Sequence, residues 1–281
     1  MTQIIDGTIF IVDSSQALTG TAGNFTYILN FPKNKEYTHV CLLQAILPKS
    51  YYLVTAPFNT MTLSEPGMSP VTVTITPGNY NAISWTTLIA AQLTAASPHG
   101  WTYTITFPKS ISQIDTGLFT YTVAGNGGVQ PSFISAANTT STVYEQFGFS
   151  ASSTNTFVGN NLISSNVIKF QLEDTLFIHS DLSYNNDQST FSDVLQEIYS
   201  SSTPTFTNII YQNSGAVEAY SKILLNNKNN VYHFSVTDEH GLPINFNGLN
   251  CVFTILLYKK ENLANVVKKY LQRSVLMNPL E

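Results

Sequence analysis

Five histidines, two cysteines, an adjacent carboxylate pair and one glycine-rich run are the residues of this 281-residue chain whose types suit chemistry. Nucleophilic catalysis needs a Ser or Cys beside a positioned base. The chain has no Gly-x-Ser-x-Gly elbow, and Cys41 and Cys251 both fall in apolar runs, where they read as buried free thiols. The histidines are scattered: His39 and His233 lie within strand-like segments, His179 follows Leu-Phe-Ile, His99 follows Pro98, and His240 sits in Asp238-Glu-His-Gly241. A metal site favours histidines paired at helical or hairpin spacing, and Asp238, Glu239 and His240 come nearest to one. A solvated hairpin turn explains that tripeptide as well. Glu173 and Asp174 are neighbours, so in an extended segment they face opposite ways instead of sharing a proton. Gly125-Asn-Gly-Gly128 lacks the Lys-Ser/Thr and helix start of a phosphate cradle and reads as a loop tip. No catalytic residue, cofactor site or metal ligand is assigned on these grounds, and the chain is read as a non-enzyme.

Binding chemistry leaves two candidates. Tyr51-Tyr52, Trp85, Trp101 and Tyr144 would suit a sugar platform, although packing in a core is the commoner fate of such rings. Five bases, Lys259, Lys260, Lys268, Lys269 and Arg273, gather in residues 259–281 with only two acids. That net of +3 leaves −8 for residues 1–258. The stretch from about Glu261 to Val275 has helical periodicity, with Leu263, Val266, Val267, Tyr270, Leu271 and Val275 on one side. A basic amphipathic helix suits a membrane surface, nucleic acid or a partner protein, and these five positions are the candidate contact residues. Broad nucleic-acid binding by the rest of the chain is disfavoured, because Arg273 is its only arginine and the net charge is −5. The Asn24-Phe-Thr26 and Asn138-Thr-Thr140 sequons read as chance in a chain rich in Asn and Thr.

The elements that must carry these residues are mostly strands. Charged residues are 10% and hydrophobic ones 43%, a balance that disfavours both disorder and long solvated helices. Period-two alternation dominates: Phe25, Tyr27, Leu29 and Phe31 share one face, and Trp101 to Phe107 places threonine at every even position. Val71–Thr76, Leu118–Val123 and Val231–Val236 follow suit. His39–Leu47 and Cys251–Tyr258 are almost continuously apolar and predict central strands buried on both faces. With Pro and Gly breakers between runs, ten to twelve short strands point to a sandwich or barrel. One helix is expected over Trp85–Leu93, capped by Ser84, and a second in the C-terminal stretch. Ser135 to Asn166 reads as long loops around one segment, Val143–Phe149. Met1 to Phe10 lacks the cationic start of a secretory signal, so the chain is expected to be made soluble in its host cell.

Several segments, taken in order, resemble the penton, or minor capsid, proteins of virophages and polinton-like viruses. They are Phe25–Phe31 with His39–Tyr52, which closes in Pro-Lys-Ser-Tyr; Pro77-Gly-Asn-Tyr80 before a helix; Tyr144-Glu-Gln-Phe-Gly-Phe149, with Phe147 where that family often has Leu; Leu176–Leu182, which ends in Ser-Asp-Leu; and Phe234–Gly248 running into Cys251–Tyr258. The last, Asp-x-x-Gly…Phe-Asn-Gly before a final apolar strand, is the most specific. The resemblance spans residues 20–260 and leaves the basic tail unaligned.

It implies an all-β protein, an antiparallel single jelly-roll sandwich with long loops and one or two short helices. The expected organisation is an N-terminal arm over 1–22, a jelly roll over 23–260 with an elaboration or insertion around 110–166, and a basic tail over 261–281. The implied role is a vertex subunit of an icosahedral double-stranded DNA virus capsid, a homopentamer that contacts the major capsid protein in the virion, with packaged DNA a further partner of the tail. No cofactor or small-molecule substrate is implied. The alternative is a receptor- or glycan-binding jelly-roll head that works through loops such as 125–128 or 150–161.

Overall fold

The computed structural model describes residues 3–107, 116–135, 142–170, 172, 175–184, 193–215, 217–225, 230–261 and 267. The chain divides into two units, one of Met1–Tyr51 with Glu173–Glu281 and one of Tyr52–Leu172.

The first unit opens with β1 (Gln3–Asp13), a 3-10 turn at Ser14–Gln16, β2 (Thr19–Thr21), β3 (Asn24–Ile28) and β4 (His39–Pro48). The second unit follows with β5 (Thr60–Ser64), β6 (Val71–Thr74), helix α1 (Ala82–Ala96), β7 (Thr102–Thr106), β8 (Thr120–Ala124), β9 (Ser132–Ile134), β10 (Thr154–Thr156) and β11 (Asn161–Ile163). The chain then returns to the first unit through β12 (Thr175–Ser180), β13 (Ser183–Tyr184), β14 (Val194–Tyr199), β15 (Asn208–Gln212), helix α2 (Val217–Tyr220), β16 (Lys222–Leu224), β17 (Val231–Thr237) and β18 (Val252–Glu261).

The pairing in the first unit is nested. In chain order its main strands are β1, β3, β4, β12, β14, β15 with β16, β17 and β18. First pairs with last (β1–β18), second with seventh (β3–β17), third with sixth (β4 with β15 and β16) and fourth with fifth (β12–β14), all antiparallel. Two further pairings, β18–β4 and β17–β12, roll that long hairpin into two sheets. This is the jelly-roll topology. The first sheet runs β1-β18-β4-β16-β13, with β15 also on β4, and the second runs β14-β12-β17-β3-β2. Alternation turns Phe253, Ile255 and Leu257 of the first sheet toward Phe25, Phe234 and Val236 of the second, and all six are buried. The Phe25 ring lies 5.8 Å from Phe234 and 6.2 Å from Phe253.

The second unit has a four-stranded sheet (β10-β9-β5-β6), a three-stranded sheet (β11-β8-β7) and α1. Its core is aromatic: Trp85 meets Tyr80 and Phe147 edge-on, each at 5.2 Å, and Phe133 lies 5.4 Å from Phe147. Gly148 has φ +78°, and a Cβ there would fall 2.6 Å from Ser164 Cβ, so the Phe-Gly-Phe149 segment needs its glycine. Fully buried Glu65 accepts from Ser97 Oγ (2.7 Å), His99 N (3.0 Å) and Tyr103 Oη (2.8 Å), which ties the end of α1 to β5 and β7. Burial and this carboxylate push the Tyr103 phenol well above its ordinary range.

Several expectations are corrected. The described residues of 1–22 are not an arm: residues 3–21 hold β1, which pairs along β18, and β2. The inserted unit begins at Tyr52, not near residue 110, because β5, β6 and β7 carry the same alternation as the jelly-roll strands and nothing in composition separates them. Ser135–Asn166 includes β10 and β11. Helix α1 starts three residues early, capped by Asn81, whose side chain accepts from Ile83 N and Ser84 N while Ser84 Oγ accepts from Asn81 N. The tail from 262 lies outside the described residues, except for Val267.

Candidate functional site: two outer faces and a loop tip

Most of the candidates for chemistry have structural partners. His179 lies on β12 with Nδ1 2.9 Å from Asp193 Oδ1 and Nε2 2.9 Å from Thr237 Oγ1, so both ring nitrogens are engaged. Asp238 Oδ1 accepts from His240 N (2.9 Å) and Leu242 N (2.8 Å), which makes Asp-Glu-His-Gly an Asx-type turn. His99 stacks on Trp101 at 4.8 Å, and His39 stacks on Tyr258 at 5.5 Å. Burial, then Lys260, holds the His39 imidazole below its ordinary pKa. Asn24 Oδ1 meets His233 Nε2 across β3 and β17. Among the described residues no three His, Cys, Asp or Glu side chains gather to hold a metal ion. Cys41 and Cys251 are free and buried, and burial pushes the Cys251 thiol up to about 12. Glu173, Asp174 and Asn138 lie outside the described residues.

The five candidate bases part company. Lys259, on β18, pairs with Glu36 at 2.9 Å, and the backbone N–H of Lys260 donates to Thr38 Oγ1 at 2.9 Å. Lys268, Lys269 and Arg273 lie outside the described residues. Tyr51, Trp85 and Trp101 are buried, so the imagined sugar platform is largely core. No described helix is long and apolar enough to cross a membrane.

The feature that residue-by-residue reading missed is the outer face of the first jelly-roll sheet. Register places Ile9 beside Leu256, and Ile11 in one row with Thr254, Gln44 and Gln212. Val252, Ile46 and Ile210 form the next row, with Asp13 at its β1 end. Ile9, Ile11 and Ile210 are 59%, 64% and 66% exposed. Asp13 is the only charge in these rows, and it caps the turn at Ser15. The Gln44, Gln212 and Thr254 side chains make no hydrogen bond among the described residues. A groove of about 260 Å³ opens beside them, lined by Leu43, Asn213, Gly215 and Val217 as well. The signal was present in the apolar runs of β4 and β18. They do form central strands, but part of their outer face stays open: Leu43, Ile46, Val252 and Leu256 are half-buried.

In the second unit the loops flagged as candidate binding elements form a braced tip. Asn126 Nδ2 donates to Val129 O (2.6 Å) and Asn160 Oδ1 (2.8 Å), and Gln130 Oε1 accepts from Asn160 N (3.0 Å). The bracing leaves Val158 78% exposed.

Two distant segments of the sequence resemblance meet in the first unit. Ser50 Oγ, in Pro-Lys-Ser-Tyr, donates to Phe246 O at 2.6 Å, and Asn247 Nδ2, in Phe-Asn-Gly, donates to Ser50 O at 2.6 Å. Buried Lys49 donates to Ser200 O at 2.7 Å.

No family model matches the chain, and no curated protein matches it in sequence. Among solved structures, that of the mavirus penton protein is similar, with 11% sequence identity and a TM-score of 0.44 over 92% of this chain and 100% of that one. The jelly-roll assignment rests on the strand pairing and not on this likeness.

Proposed function

We propose that this chain is a structural capsid protein that forms the pentameric vertex of an icosahedral double-stranded DNA virus and contacts the neighbouring major capsid protein. The observation that carries the reading is the meeting of Pro-Lys-Ser-Tyr with Phe-Asn-Gly. These motifs, 196 residues apart, are tied by two 2.6 Å hydrogen bonds where β4 ends and the hairpin before β18 turns. Residues that resemble one family in sequence order thus serve one structural purpose, bracing the same end of the jelly roll. The outer face of the first sheet, whose rows carry Asp13 as their only charge, supports the reading from physical chemistry. An apolar, unpaired face on a chain of net charge −5 suits a protein neighbour and does not suit nucleic acid. A ring of five needs head-to-tail contacts between unlike flanks, which jelly-roll sides supply. The basic residues beyond Lys260 would then reach a neighbour or packaged DNA, with the protein resident in the virion.

Light scattering over a concentration series tests this. A mass rising toward five subunits is expected, and a closed trimer contradicts it. A chain that stays monomeric is co-expressed with the major capsid protein, and its absence from the resulting particles also contradicts the reading. The braced tip at Asn126, Gln130 and Asn160 favours a second reading, a receptor- or glycan-binding head. A trimer that binds a glycan array would support that reading.

A further inference from the structure

Two apolar features of this chain suit one another. One is the outer face of the first sheet, with Ile9, Ile11 and Ile210 exposed around the groove at Gln44 and Gln212. The other is the apolar side of the C-terminal stretch, Leu263, Val266, Val267, Tyr270, Leu271 and Val275, of which Val267 is helical and 49% exposed. We propose that the outer face of the β1-β18-β4-β15 sheet seats the apolar side of residues 262–281 from a second copy of the chain. The inference deepens the assembly reading above and rests on it.

Size and chemistry match. The 13 residues from Leu263 to Val275 would extend ~20 Å as helix at ~1.5 Å per residue, close to the breadth of four strands ~4.8 Å apart with their side chains. The face has no lysine, arginine or glutamate in its rows, so it accepts the apolar stripe and leaves Lys268 and Lys269 off the contact. A helix already uses the adjoining part of this face: α2 lies against β4, where Tyr258 and Cys41 are fully covered.

Geometry favours a neighbour's segment over the chain's own. β18 runs from Val252 to Glu261, and Glu261 is paired with Gln3 at the start of β1. The seven steps from Thr254 to Glu261 carry the chain ~24 Å beyond the Thr254 row at ~3.4 Å per residue. To come back, the segment would have to reverse and cross the end of the face that α2 and the His39–Tyr258 stack occupy. β18 thus ends pointing away from the exposed rows. A face four strands wide and about six residues long offers only roughly 400 Å² per copy, about half of a standard interface, so one such contact is weak and a closed set of them is not.

Mixed cysteine crosslinking on the full chain tests the proposal. An Ile210→Cys protein is mixed with a Leu271→Cys protein, bridged with a short bismaleimide and run on denaturing gels, with the unmodified chain as control because Cys41 and Cys251 are buried. An Ile11→Cys protein repeats the test should Ile210→Cys fold poorly. Expected is a crosslinked dimer from the mixture that falls at least tenfold when Ile11→Asp is added to the Ile210→Cys chain. Crosslinking confined to single chains in the Ile210→Cys/Leu271→Cys double variant overturns the exchange. A mass of five subunits without crosslinking overturns the inference and leaves the vertex reading standing. Crosslinking in a trimer does the reverse, and a monomer that never crosslinks overturns the inference and leaves the vertex reading to co-expression with the major capsid protein.

Discussion

The two sheets of the jelly roll share one core and turn different faces outward. The outer face of the second sheet carries polar groups bonded to one another beside an exposed apolar pair, Ile28 and Val231. Thr19 and Thr26 hydroxyls lie 2.7 Å apart, Asn24 meets His233, and His179 bridges Asp193 and Thr237. The outer face of the first sheet sets isoleucine, valine and leucine around Gln44 and Gln212, whose side chains make no hydrogen bond among the described residues. A face whose hydrogen bonds are internally satisfied presents a finished surface to water. An exposed apolar face whose amides make no hydrogen bond among the described residues suits the protein neighbour proposed above. The same alternation that builds one core therefore leaves the two outer faces with different chemistry.

The largest expected effects test what the sheets have in common. Phe253→Ala on the first sheet and Phe234→Ala on the second each remove a fully buried ring from one stack. Each is expected to cost ~3–5 kcal/mol in urea unfolding. If one is tolerated while the other unfolds the unit, the core is not shared.

Next come the outer faces. Ile11→Asp or Ile210→Asp should leave stability within about 1 kcal/mol, since both side chains are exposed, yet weaken self-association at least tenfold in light scattering. Thr26→Asp on the second sheet should leave association unchanged. Equal effects from the two faces would erase the contrast.

Proton linkage separates the sheets by pH range. Burial raises the Cys251 thiol from its ordinary 9.0 to about 12. The folded chain keeps a proton that the unfolded chain releases, so stability falls as pH rises from 9 toward 12. Beside the second sheet, burial raises the Asp181 carboxyl above 3.8, and stability falls as pH climbs through that acid window. Urea midpoints across pH should lose the alkaline slope in Cys251→Ala and the acid slope in Asp181→Asn.

The smallest effect is expected at Lys259→Ala. It removes a 2.9 Å pair with Glu36, whose side chain is 78% exposed, and such surface pairs contribute ~1 kcal/mol or less. A larger loss would show that Lys259 braces the β18 end of the first sheet.

Much of the fold was legible because period-two alternation reports burial directly. Thr102–Thr106 alternates exposed and buried as its threonines require, and β4 and β18 occupy the centre of their sheet as their apolar runs imply. The boundaries were not legible, because β1 and β5 to β7 use the same code as the jelly-roll strands, and only long-range pairing assigns a strand to a sheet. That pairing also hid the outer face. Ile11, Thr254, Gln44 and Gln212 come from four distant segments, and none of them is unusual alone. The turn at Asp238 was legible from its residue types, whereas the engagement of His179 by Asp193 and Thr237 needed strands β12 and β17 side by side.

Electron microscopy of the full chain, imaged as single particles at the concentration where its scattering mass plateaus, tests the vertex assignment most directly. Class averages showing closed rings of five subunits are the predicted result, and threefold heads would contradict it.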